Sequence, residues 1–144
     1  MNIEQMTQKT REALQAAQRI AVEYSNNAVE QEHLLAALAQ QQDGLIPQLL
    51  QTLGIDANAF AQTALLPRVT GSGRDPEKIY ISNDLDRALN AAEQQAKQMK
   101  DEYISVEHVF LGILQRPGKA ASEIFKTFGI TTEKFMKQLS TVRG

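Results

Sequence analysis

The chain has 144 residues, 42% hydrophobic and 22% charged, with a formal net charge of −2 and a pI near 5.7, which describes one globular domain with enough chain for a core. That balance argues against a nucleic-acid module, which carries a basic stripe, and the absence of cysteine excludes disulfides and thiolate metal sites and fits a reducing compartment. No apolar run approaches the roughly 18 residues of a membrane span, and an N-terminus with Glu4 and no apolar core segment does not read as a signal peptide.

Thr7 is positioned to cap a first helix, accepting from amides of the opening turn. Ala13, Leu14, Ala17, Ile20, Ala21 and Tyr24 follow at helical spacing up to the polar stop Ser25-Asn26-Asn27. A short second helix is expected over 31–40, with Glu30 a poor cap and Glu32 favourable at the positive helix end. After the break at Asp43-Gly44, a third helix over 45–53 stops at Gly54, a C′ position suited to positive φ. A fourth over 56–65 turns Phe60 inward. The segment from Pro67 to Pro76, with Gly71 and Gly73, reads as a linker. It lacks the Lys-Ser/Thr closure of a phosphate loop and follows no parallel strand. Ile79-Tyr80-Ile81 reads as briefly extended.

The pattern then recurs. Ser82 is the next cap, and Leu85, Ala88, Leu89, Ala92, Ala96 and Met99 mark a fifth helix. A sixth over 106–115, behind Ser105 and Glu107, breaks at Pro117-Gly118. A seventh over 119–128 stops at Gly129, and an eighth over 131–141 carries Phe135 inward. A shift of 75 lays residues 10–64 over 85–139 without a gap and with twelve identities, among them Leu14/Leu89, His33/His108, Gly54/Gly129 and Phe60/Phe135. An unbroken register of this length marks an internal duplication. The expected fold is all-α: eight helices as two tandem, pseudo-twofold-related four-helix repeats, repeat 1 at about 7–66, a linker at about 67–81 and repeat 2 at about 82–141. Leu14 and Leu89 are expected in the core, and the alanine-rich inner faces permit close helix approach. The close at Arg143-Gly144 reads as a domain boundary with more protein beyond it.

Catalytic chemistry is hard to place. His33 and His108 stand at matching positions, but a zinc site needs three or four suitably spaced ligands. Hydrogen bonding at the helix start or packing is the better reading. Glu32 and Glu107 are adjacent to those histidines, and adjacent helical positions do not face each other. No serine sits in a nucleophile-elbow context, so no enzyme is expected. The sixth helix, with Val106, Val109, Phe110, Leu111, Ile113 and Leu114, is apolar beyond a single stripe. Such a helix is central in the core or leaves apolar surface for a partner, and the two are compatible.

The duplicated Glu-His pair, the paired Gly-Ile turns, Leu66-Pro67-Arg68-Val69-Thr70-Gly71-Ser72-Gly73 and the closing Val142-Arg143-Gly144 together resemble the Clp N-terminal repeat domain, most closely its ClpB-type disaggregating branch. The resemblance covers essentially the whole chain. It implies a cytoplasmic, non-enzymatic substrate-recognition module that is monomeric in isolation. It also implies a tether to a hexameric AAA+ motor, which would hold the ATP and magnesium this domain lacks. Partners so implied are unfolded or aggregated polypeptides, with an adaptor or co-chaperone as a further one, and neither nucleic acid nor membrane. Position by position, the family's polar binding residues fall on Thr7, Asp101 and Glu107, and its apolar groove falls on Ala91, Gln95 and His108. At those groove positions this sequence has smaller or polar side chains. The alternative function is docking of a folded adaptor protein.

Overall fold

The computed structural model describes residues 3–66 and 80–143. A short 3-10 turn at Ile3–Gln5 leads into α1 (Gln8–Glu23), β1 (Ala28–Val29), α2 (Gln31–Ala39), α3 (Leu45–Thr52) and α4 (Ala57–Leu65). The second set is β2 (Tyr80–Ile81), α5 (Asn83–Gln98), α6 (Val106–Gln115), α7 (Lys119–Phe128) and α8 (Thr132–Arg143). The expected eight-helix, all-α architecture is the one observed among the described residues. The linker expected at 67–81, including Gly71 and Gly73, lies outside them up to residue 79.

Local chemistry sets the ends as the 75-residue register demands. Thr7 and Ser82 accept from the amides of Thr10 and Leu85 at 3.2 and 3.1 Å, so both long helices start behind a side-chain cap. Ser25 and Lys100, one register apart, both take positive φ (55° and 59°) as those helices end. Gly54 and Gly129 close α3 and α7 at φ 78° and 67°, the left-handed conformation for which glycine carries no Cβ penalty.

The symmetry extends to contacts between the repeats. The amide of Thr7 donates to the Ile104 carbonyl and that of Ser82 to the Val29 carbonyl, both at 3.1 Å. Each equals the other shifted by 75. Met6 bridges Ile104 in parallel, as Ile81 pairs with Val29 between β1 and β2. Helix contacts across the repeats come in reciprocal pairs: α1 with α6 and α2 with α5, α2 with α7 and α3 with α6, α3 with α8 and α4 with α7. Residue i touching j while j's equivalent touches i's equivalent is the signature of a twofold relation. Helices α2 and α6, which touch each other, lie at its centre.

Burial follows. Every residue of α2 is buried, as is α6 from Val106 to Ile113. The apolar excess of α6 therefore belongs to the core, the first of the two placements its pattern allowed. The small inner faces of α1 and α5 let α2 and α6 approach closely. Ala13, Ala17, Ala21, Ala88, Ala92 and Ala96 are all buried. At Gly112 the approach is tightest, since a Cβ there would lie 2.2 Å from the Ala88 carbonyl oxygen. Phe110 stacks on Phe135 (centroids 4.6 Å) and also meets Phe60 of the other repeat at 6.3 Å. Such aromatic pairs add to plain area burial. Gln31 ties the repeats by polar means, its Nε2 donating to the Asp84 and Arg116 carbonyls and its Oε1 accepting from the Gly118 amide. One core expectation needs correcting: Leu89 is 4% exposed, but Leu14 is only half-buried. It borders an open cleft beside β2.

Candidate functional site

The two histidines serve at helix starts. The Ser105 amide donates to His108 Nδ1 at 2.8 Å, and the Glu30 amide donates to His33 Nδ1 at 2.8 Å. Each histidine is thus the third-position member of a capping box. A backbone amide can only donate, so Nδ1 must be the bare nitrogen and Nε2 the protonated one. His108 Nε2 accordingly donates to Asp101 Oδ2 at 2.7 Å, and His33 Nε2 to Asn26 Oδ1 at 2.9 Å. Both rings are fully buried. The repeats differ in one atom type there, a carboxylate at 101 against an amide at 26.

That carboxylate gathers a small ionic cluster. Arg143, at the end of α8, donates to Asp101 Oδ1 at 2.8 Å and to Glu107 Oε2 at 3.4 Å. The bond from Arg143 holds the Asp101 carboxyl below the usual carboxylate range; partial burial opposes this, and the bond from His108 adds to the lowering. Asp101 in turn pushes Arg143 up. Thr7 lies at the same corner, its amide on the Ile104 carbonyl and its hydroxyl sharing a 2.9 Å bond with that of Thr10.

The structure therefore brings Asp101, Glu107 and His108 together, with Thr7 close by through Ile104. Ala91 and Gln95 stand on α5, which packs against α6. They line a shallow cleft of about 480 Å³ with Asn90, Gln94, Gln98 and Gln115, flanked by Arg87 and Arg116. Gln95 is buried, and its Oε1 accepts from Gln115 Nε2 at 2.8 Å. The cleft is a lane of side-chain amides, and the His108 ring does not reach its surface. Nothing in the sequence marks Arg143 as part of a site: it lies 36 residues from Glu107 along the chain and carries no periodic signal. Among the described residues no group of three or more acidic or histidine side chains is placed to hold a metal ion. No helix among them is long and apolar enough to cross a membrane.

Comparison with known proteins gives these features a context. The family model described as Clp repeat (R) N-terminal domain matches residues 5–128. The chaperone protein ClpB of Bacillus anthracis is 39% identical over 149 residues, covering 100% of this chain and 17% of its own length. The chain thus spans about a sixth of such curated relatives. Among solved structures, the Hsp104 N-terminal domain from Candida albicans superimposes with a TM-score of 0.82 at 21% identity, over 96% of this chain and 91% of that one. A ClpV N-domain solved in complex with a VipB peptide gives a TM-score of 0.76 at 18% identity, over 96% and 86%. At those identities the structural likenesses speak for the fold.

Proposed function

The chain belongs to the Clp repeat N-terminal domain family, and on that footing we propose that it is the substrate-recognition module of a ClpB-type disaggregase. It would bind unfolded or aggregated polypeptide and pass it to an AAA+ motor elsewhere in the protein. The hexameric state, the ATP and magnesium, and the cytoplasmic setting belong to that proposal. The observation that carries it is the extent of the relationship, which runs along the whole chain to chaperones of which it matches only a small N-terminal share.

The geometry supports a weak, sequence-tolerant contact. Asn90, Gln94 and Gln98 project along one side of α5 into the cleft beside Ala91. Side-chain amides both donate and accept, which suits the backbone of an extended chain whatever its sequence. A cleft lined by side-chain amides and two arginines buries little apolar surface, so at about 25 cal/mol/Å² the gain is modest. Association costs of about 4–15 kcal/mol remove most of it. Micromolar or weaker binding follows, which leaves the substrate free to be drawn away. In this reading Thr7, Asp101 and Glu107 orient the chain, Ala91 and Gln95 shape the cleft, and His108 holds Asp101 in place.

A folded adaptor is the second reading, favoured by the polar lining of the cleft. Titration of the isotope-labelled protein with an unfolded model polypeptide separates the two. Shifts at Asn90, Ala91, Gln94 and Gln98 that saturate in the micromolar-to-millimolar range are expected. Indifference to unfolded chains, together with tight binding of one folded partner, would overturn the first reading in favour of the second.

A further inference from the structure

Of the large apolar side chains exposed on the described surface, Ile3, Tyr80 and Ile81 (61%, 61% and 47% exposed) converge on a single cleft. Its volume is about 250 Å³. Val29 and Leu14 complete its apolar lining, and Arg11, Gln15 and Gln18 of α1 form the polar side.

The internal duplication supplies a control within the molecule. Shifted by 75, half-buried Leu14 and Ile81 (47% exposed) correspond to Leu89 and Met6, which are 4% and 5% exposed, while Val29 and its counterpart Ile104 are buried alike. The same site is closed in the second repeat and open in the first. The polar side changes with it: Arg11, Gln15 and Gln18 correspond to Asp86, Asn90 and Glu93. An acidic surface at the closed site is matched by a cationic one at the open site. Arg11 donates Nη1 to the Met6 carbonyl at 3.1 Å and forms no ion pair among the described residues.

We propose that this cleft is a second peptide site, distinct from the amide-lined one on α5. It takes an extended segment of another polypeptide, setting one apolar side chain against Leu14 and Ile81 and a neighbouring carboxylate against Arg11. The size of the cleft selects against larger occupants. Drug-sized ligands and cofactors fill roughly 300–1,000 Å³, and a whole helix, about 10 Å across, is wider than a socket for one or two side chains. A second copy of this chain is disfavoured by charge, because an isologous contact through the cleft would bring Arg11 towards Arg11. The guanidinium fork instead matches a carboxylate.

The test uses the full chain and a blocked peptide of alternating leucine and aspartate, with a twin in which every aspartate is asparagine. Expected are shifts at Ile3, Leu14, Tyr80 and Ile81 on adding the acidic peptide. Ile81→Lys should weaken that binding at least about tenfold, the loss of one buried aliphatic contact. Arg11→Gln should weaken the acidic peptide roughly two- to fivefold, as for an exposed ion pair, and leave the asparagine twin unaffected. Ile81 is exposed enough for the lysine to be accommodated, and a thermal melt together with Ile81→Ser confirms that folding is intact. Shifts confined to Asn90, Gln94 and Gln98 would overturn this site while leaving the α5 cleft standing. Shifts at Ile3 and Leu14 that survive Ile81→Lys and Ile81→Ser, equal losses for both peptides in Arg11→Gln, or concentration-dependent shifts without peptide would each overturn it as well. The last would indicate self-association.

Discussion

Gly112→Ala should destabilise the domain although alanine is the better helix former. The new methyl would sit 2.2 Å from the Ala88 carbonyl oxygen and 2.9 Å from the Ala92 nitrogen, both backbone atoms of α5. Backbone cannot swing aside as a side chain can, so α5 and α6 must separate. A gap of about 0.5–1 Å forfeits a quarter to a half of each dispersion contact, and this pair joins Ala88, Ala92 and Ala96 to the centre of the core. Overpacking of this kind costs about 1–3 kcal/mol, against about 1 kcal/mol returned by replacing glycine within a helix. Two α5 backbone atoms must be cleared, which puts the cost at the upper end, about 3 kcal/mol, so a net loss near 2 kcal/mol is expected, or about 4–8 °C in Tm for a chain of this size. The equivalent position in α2 is Ala37, so the α1–α2 pair already accommodates the methyl that α5–α6 excludes. Urea denaturation followed by circular dichroism measures the effect. An unchanged or raised midpoint for Gly112→Ala would refute the reasoning.

Other outcomes follow from the same structure. Leu89→Ala should cost about 2–5 kcal/mol as a buried truncation, whereas half-buried Leu14→Ala should cost clearly less; equal losses in denaturant titrations would contradict the difference in packing. Asp101 has its folded pKa depressed by Arg143, so it stabilises the fold above its unfolded pKa, and that share is lost as pH falls through the folded value. Asp101→Asn should therefore flatten the stability-versus-pH curve at and below the usual carboxylate range, and Arg143→Gln should move the loss to higher pH; parallel curves for wild type and both variants would count against the cluster. Nitrogen-15 spectra should show both His33 and His108 as the Nε2–H tautomer, and Nδ1–H at either position would remove the capping role.

The eight helices could be read from the sequence because the duplication doubled each signal. A cap, an apolar stripe and a stopping glycine that recur 75 residues later are hard to mistake, and the observed ends lie within a residue or two of those expected. The small β pairing was harder to see. Ala28–Val29 is too short for any alternation to register, and its partner is fixed only by how the repeats meet. For the same reason the exposure of Leu14 was hidden: Leu14 and Leu89 are identical in sequence context, but the neighbours that cover Leu89 come from tertiary structure. How the binding positions carried over from the family are presented was not legible: Ala91 and Gln95 line a cleft on α5, whereas His108 turns into the cap. That inward turn follows from the ring accepting the Ser105 amide, a bond between residues three apart that sequence spacing permits without requiring.

The exchange of edge segments between repeats has a consequence for how the chain reaches this state. In most tandem-repeat proteins each unit leans on its neighbours in line, and stability accrues unit by unit. Here the residue that precedes α1 completes its pairing at Ile104, and the one that precedes α5 completes its own back at Val29. Neither half can satisfy its own termini. Folding should then behave as a single all-or-none transition, with a barrier raised by closing the long Met6–Ile104 loop. A chain pulled from one end would resist until that bridge gives way, and would then lose both halves together.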